Sequence, residues 1–239
     1  MSSSGLVDLL GFGPGGWGAP LLKAALTTTA LSIAGFFAGA VLGGLAASAR
    51  LAGGPLSAAI AYGYSTLFRG VPDLLTIYLL YFGGSAGLTV VGQWFGAQGF
   101  VGLPAFATGV VALAVISGAY QAEVYRGAYL AIHRGELDAA RAFAMSRSTM
   151  LRRIVAPQVL RYALPGLGNV WQLVLKDSAL VSVIGLVELM RQAQVGAGST
   201  REPFAFYCTA AVLYLMIALL TGALFRHAER RSLRGIRIV

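Results

Sequence analysis

Four carboxylates stand where carboxylates are costly. Asp73, Glu123, Asp177 and Glu188 fall within or beside long apolar runs. An ionised side chain in such surroundings normally faces a cavity or a partner charge. A carboxylate lining a cavity can receive a guanidinium or ammonium group. Local pairing is the competing use of the same residues. Asp73 lies four residues after Arg69, Glu123 three before Arg126, and Asp177 directly follows Lys176. The first two spacings share a helical face, provided helix runs through them. Glu123 and Asp177, followed by Asp73, are the candidate ligand-contact or gating residues. Tyr78, Tyr81 and Tyr120 could line the same space, although tyrosines in apolar runs more often anchor at an interface.

Other chemistry is poorly provided for. A phosphate-cradling loop ends in Gly-Lys followed by Ser or Thr. The chain has two lysines, Lys23 and Lys176, and neither follows a glycine. Any use of ATP therefore belongs to a partner. Gly83-Gly84-Ser85-Ala86-Gly87 matches the Gly-x-Ser-x-Gly elbow of hydrolases. That elbow needs a strand before it, a helix after it and a histidine within reach. The segment instead follows an apolar run, and the histidines, His133 and His227, belong to the opposite side of a membrane in the topology below. An intramembrane serine hydrolase would depend on Ser85. The single cysteine, Cys208, excludes a disulfide framework and a thiolate metal site, and no metal ligand set is expected.

The elements that hold these residues must suit lipid. Of 239 residues, 57% are hydrophobic and only 11% charged, with a mean hydropathy of +0.73. So few charges cannot clothe a water-soluble domain of this length. The net charge of +9 is not a nucleic-acid footprint, because the basic residues lie between apolar runs and at the C-terminal end. Residues 1–18 carry no Lys or Arg and so lack the basic start of a cleaved signal peptide.

The patterning predicts an all-α membrane protein of about five spans in a single domain, residues 1–239. The first span, residues 21–49, carries Gly35, Gly39 and Gly43 as a small-residue stripe for a close helix partner. A short interfacial segment follows, broken at Arg69-Gly70-Val71-Pro72-Asp73, before a span from about residue 71 to 82. Residues 83–102 read as an irregular glycine-rich loop. Further spans are expected at 104–132, at 162–189 with a break at Pro165, Gly166 and Gly168, and at 204–225. Arginines concentrate in a loop over 133–161 and in a tail over 226–239, which puts both in the cytoplasm and the N-terminus outside.

The loop is the most informative polar stretch. In residues 135–146 the alanines favour helix and Asp138 is placed near the helix start, complementing the dipole. Ser146 or Ser148 can cap a second helix. A short helix–turn–helix on the cytoplasmic face results, with small side chains open to another protein.

This loop resembles the EAA motif of ABC-importer permeases, in which Glu-Ala-Ala, a later glycine and Ile-x-Leu-Pro form a coupling helix. Asp138 stands for the Glu, Ala144 for the Gly and Ala156 for the Leu. Arg69 to Leu74, Glu123 to Gly127, Arg161 to Gly166 and Lys176 to Ser182 are similar to segments of polar-amino-acid permeases. Gly70-Val71-Pro72 followed by an acid, Gly16-Trp17-Gly18 and Glu202-Pro203-Phe204 resemble the Q-type subunits of histidine/lysine-arginine-ornithine and octopine/nopaline importers.

The resemblance implies a type I ABC-importer permease fold in the bacterial inner membrane. It implies a second, M-type permease subunit, an ATPase dimer that binds ATP and magnesium, and a periplasmic binding protein that delivers an amino acid or opine. It gives this chain no cofactor of its own and no nucleic-acid partner. Asp138, Ala139, Ala140, Arg141, Phe143, Ala144 and Ser146 are the expected ATPase-coupling residues. A secondary transporter and a membrane scaffold are the alternatives, and the EAA-like loop argues against the first.

Overall fold

A computed structural model describes residues 9–96, 99–100 and 102–232. Among these residues the chain is helical, with no β-strand. Helix α1 spans Gly18–Ala52, α2 Pro55–Gly70, α3 Asp73–Trp94 and α4 Ala105–Leu130. Two short helices follow, α5 at Arg134–Ala142 and α6 at Arg147–Met150. A π-helical turn then leads into α7, Ala156–Asp177. A 3-10 segment, Ser178–Ile184, precedes α8 at Leu189–Thr200 and α9 at Pro203–Ser232.

Four of these, α1, α3, α4 and α9, are long and apolar enough to cross a bilayer. Helix α7 has 22 residues, enough length to span. Arg161, Lys176 and Asp177 make it the polar fifth of the expected set.

The glycine stripe meets its partner in α4. A Cβ at Gly35 would come within 2.6 Å of Leu113 Cβ, one at Gly43 within 2.8 Å of Gln121 Cβ, and one at Gly39 would overlap Ser117 Oγ. Each glycine is thus the socket for one α4 side chain, and Gln121 Nε2 donates to the Phe36 carbonyl oxygen at 3.0 Å across the seam. The main core continues into α7, where Phe36, Trp171 and Phe225 pack with ring centroids 5.5–6.3 Å apart. A smaller core joins Leu21 on α1, Leu189 and Ala193 on α8, and Phe206 on α9.

Three sequence expectations need correction. Residues 84–94 are helix, not irregular loop, and α3 runs through a π-helical turn at Leu79–Gly83. Glycines weaken helix in water, but in lipid an open backbone has no hydrogen-bond partner, so the ladder persists. Helix α7 passes through Pro165 without ending. The break comes later, after Ser178–Ile184, at Gly185, whose φ of +90° suits glycine. Asp138 sits mid-helix in α5, and the acid of the first turn is Glu136. Ser85 is buried within α3 and accepts the Leu103 N–H at 3.1 Å. It lies mid-helix, not at a strand-to-helix elbow, so the hydrolase motif lacks its structural context.

Candidate functional site

The break between α2 and α3 separates Arg69 from Asp73. Pro72 supplies no N–H and disfavours helix at Val71, whose ψ of 138° is extended. Asp73 therefore starts a new helix instead of completing a turn with Arg69, and the expected local pair does not form. Arg69 turns towards Glu123 of α4, with NH1 3.7 Å from Oε1.

Three arginines converge on that one carboxylate. Arg50, from the last turn of α1, hydrogen-bonds Glu123 Oε1. Arg126 reaches Oε2 with Nε and NH2, each at 3.1 Å, so the expected Glu123–Arg126 pair is present. Arg69 completes the group and lies over the Tyr120 ring, 5.6 Å from its centroid, while Arg50 lies over Tyr62 at 5.3 Å. Glu123 is thus fully engaged by protein cations, an arrangement suited to locking α1, α2 and α4 together.

Asp177 is placed differently. It ends α7, is 8% exposed, and its Oδ2 has no hydrogen-bond partner. Thr76 Oγ1, on the first turns of α3, is also buried without one. Among the described residues neither Lys176 nor any other cation forms an ion pair with Asp177 or Asp73. The helices that begin at Asp73 and end at Asp177 both pack against α4, which carries Tyr120 and Glu123. A buried acceptor without a donor can receive a cationic ligand group.

Glu188 has a separate duty. It caps α8, accepting the N–H groups of Met190 at 2.9 Å and Arg191 at 2.8 Å. The Tyr214 hydroxyl donates to it at 2.8 Å and that of Thr28 at 3.4 Å.

In the polar segment between α4 and α7, His133 caps α5 through Gly135 N–H, and Ser146, not Ser148, caps α6 through Thr149 N–H at 3.3 Å. Ala140 is buried, and Phe143 is 84% exposed. Asp138 and Arg141 form an exposed pair at 2.8 Å, worth about 0–1 kcal/mol. Helix α5 ends in a Schellman motif: Met145 N–H reaches the Ala140 carbonyl at 3.1 Å and Ala144 N–H that of Arg141 at 2.9 Å. The motif puts Ala144 at φ +51°, a left-handed position that glycine occupies more cheaply. A groove of about 460 Å³ lies beside it, lined by Ala139, Phe143, Pro157 and Arg161 among others. Glu136, bonded by Gln158, ties α5 to α7.

Sequence reasoning missed Arg50 and Arg69 as partners of Glu123. Both close helices in a basic pattern that topology alone explains, and Arg50 lies 73 positions from Glu123. It also missed Thr76, for which the sequence carries no signal.

The sequence profile of the "Binding-protein-dependent transport system inner membrane component" family matches residues 39–234. The octopine transport system permease protein OccQ of Agrobacterium tumefaciens (strain Ach5) is 57% identical over 229 residues, covering 96% of this chain and 97% of the relative. The histidine/lysine/arginine/ornithine transport system permease protein HisQ of Escherichia coli is 37% identical over 222 residues, covering 93% of this chain and 97% of the relative. Among solved structures, one chain of an amino acid ABC transporter crystallised with histidines superposes with a TM-score of 0.76 at 31% identity, covering 90% of this chain and 95% of that one.

Proposed function

This chain belongs to the family of binding-protein-dependent transport system inner membrane components, and from that premise we infer that its cargo is an opine or a basic amino acid. The relatives named for octopine and for histidine, lysine, arginine and ornithine support this cargo class. Those cargos share a cationic nitrogen group. The observation that carries the reading is the buried, unpartnered Oδ2 of Asp177, an acceptor that such a group would satisfy. Asp177 is the leading cargo contact, Asp73 is the second candidate, and Glu123 acts in gating or structure because Arg50 and Arg126 already occupy both of its oxygens.

In this reading the chain forms the path with a second, M-type permease and carries out no hydrolysis itself. A dimer of ATPase subunits binds ATP and magnesium, and a periplasmic binding protein delivers the cargo. The segment from Asp138 to Ser146 docks on an ATPase, with Phe143 as the exposed contact and Arg141 beside it. ATPase closure moves α5, the Gln158–Glu136 link carries the motion to α7, and Asp177 lies at the far end of that helix. Alternating access follows from two packings of the spans. The N-terminus is periplasmic and the basic C-terminus cytoplasmic.

The test is uptake of labelled octopine and arginine in cells deleted for this chain and then complemented. Loss and restoration of either uptake is the expected result. Unchanged uptake of both in the deletion strain would overturn the cargo assignment.

A further inference from the structure

The arginines around Glu123 outnumber what that carboxylate can hold. Arg50 occupies Oε1, and Arg126 occupies Oε2 through two nitrogens. Arg69 is left at 3.7 Å from Oε1, beyond hydrogen-bond distance, and its side chain is 44% exposed. It is thus the most loosely held of the three, ion-paired with Glu123 without a hydrogen bond and resting on the face of Tyr120. The cluster of one acid and three guanidiniums therefore carries two surplus positive charges.

Location makes that surplus informative. Arg69 ends α2 immediately before the Val71–Pro72 break, and its partner Glu123 lies within the membrane-spanning α4. An exposed guanidinium at membrane depth cannot be left facing hydrocarbon, and extended backbone there is tolerated where it lines a water-filled cavity. Tyr120 of α4 lies under Arg69, and the helices that begin at Asp73 and end at Asp177 both pack against α4. Arg69 is thus a cation with unused donors, and Asp177 Oδ2 is a buried acceptor without a partner, on helices that both pack against α4.

We propose that Arg69 is a cargo-specificity residue that receives the carboxylate of the transported molecule, while the cationic end points towards the acids. This rests on the cargo class inferred above. A guanidinium forms bidentate bonds with carboxylate that an ammonium cannot reproduce, so lysine would be an imperfect substitute. Octopine carries more than one carboxylate, arginine one, and agmatine, its decarboxylated counterpart, none.

The purified complex of permeases and ATPases, in lipid nanodiscs without nucleotide, is titrated calorimetrically with all three compounds. The unaltered complex should bind arginine and octopine about tenfold or more tightly than agmatine, the size of one charged hydrogen bond. Arg69→Gln should bring arginine to within about twofold of agmatine while barely moving agmatine, and Arg69→Lys should fall between. A purely structural Arg69 would weaken all three alike, and that outcome overturns the proposal, as does an unaltered preference for the acids in Arg69→Gln. Should Arg69→Gln fail to assemble, the arginine-to-agmatine ratio in Arg69→Lys decides, and an unchanged ratio is negative. If the complex prefers an uncharged amino acid such as glutamine over arginine, the cargo class fails. Arg69 is then judged by that amino acid against its own decarboxylated amine.

Discussion

Glu188 and Asp177 are both buried acids in the second half of the chain, eleven positions apart, and the chain treats them in opposite ways. Glu188 receives two backbone N–H groups and two hydroxyls from α1, α8 and α9. Asp177 ends α7 with one oxygen unserved. The first is paid for locally and so belongs to the frame. The second leaves a buried acceptor open, and the proposed cargo contact rests on that opening. Burial of an acid in a membrane protein is therefore not a functional signal in itself; the count of its donors is what separates scaffold from site.

The contrast can be broken most forcefully at Glu188. Glu188→Ala leaves the Tyr214 hydroxyl and the α8 N–H groups of Met190 and Arg191 without their acceptor. A loss of roughly 1–3 kcal/mol for each buried donor left unsatisfied is expected. Thermal unfolding in detergent should show the drop together with poor recovery of the complex, and unaltered stability would return Glu188 to the list of functional acids.

Asp177→Asn is expected to do the reverse. Having few partners to lose, it should leave the unfolding temperature within a degree or two, while uptake of a cationic cargo falls about tenfold, the equivalent of about 1.4 kcal/mol. Equal loss of stability and uptake would erase the distinction between the two sites.

The smallest expected effect lies at Ala144, where the same logic applies to backbone instead of charge. Ala144→Gly removes the penalty of a left-handed alanine, about 1 kcal/mol. Hydrogen exchange at the Ala144 and Met145 amides should slow accordingly, and faster exchange would mean that the alanine is not strained there.

What the sequence announced is what has a local signature. The stripe of Gly35, Gly39 and Gly43, the break at Val71–Pro72 and the cap at Ser146 each follow from residue types a few positions apart. Lipid overruled the glycine signals at 83–87, where helix is the only way to satisfy the backbone. The continuity of α7 through Pro165 likewise reflects packing: Gly166 admits Val124 so closely that a Cβ would meet it at 2.9 Å. The partners of Glu123 were illegible because Arg50 and Arg69 arrive from other helices. Each looks in sequence like an ordinary basic helix end. Asp138, expected at the start of α5, lies in its middle because His133, not a residue nearer the acid, provides the cap.

The meshing of α1 with α4 constrains how the molecule can change shape. Its three sockets recur at the same one-turn interval as the knobs Leu113, Ser117 and Gln121. Sliding one helix along the other would drive a leucine against a position shaped for a serine. The two helices are geared, and they travel as one strut. Any rearrangement of this half of the chain then moves α1 and α4 together, and Gly185, at φ +90° between α7 and α8, is where the backbone leaves regular helix.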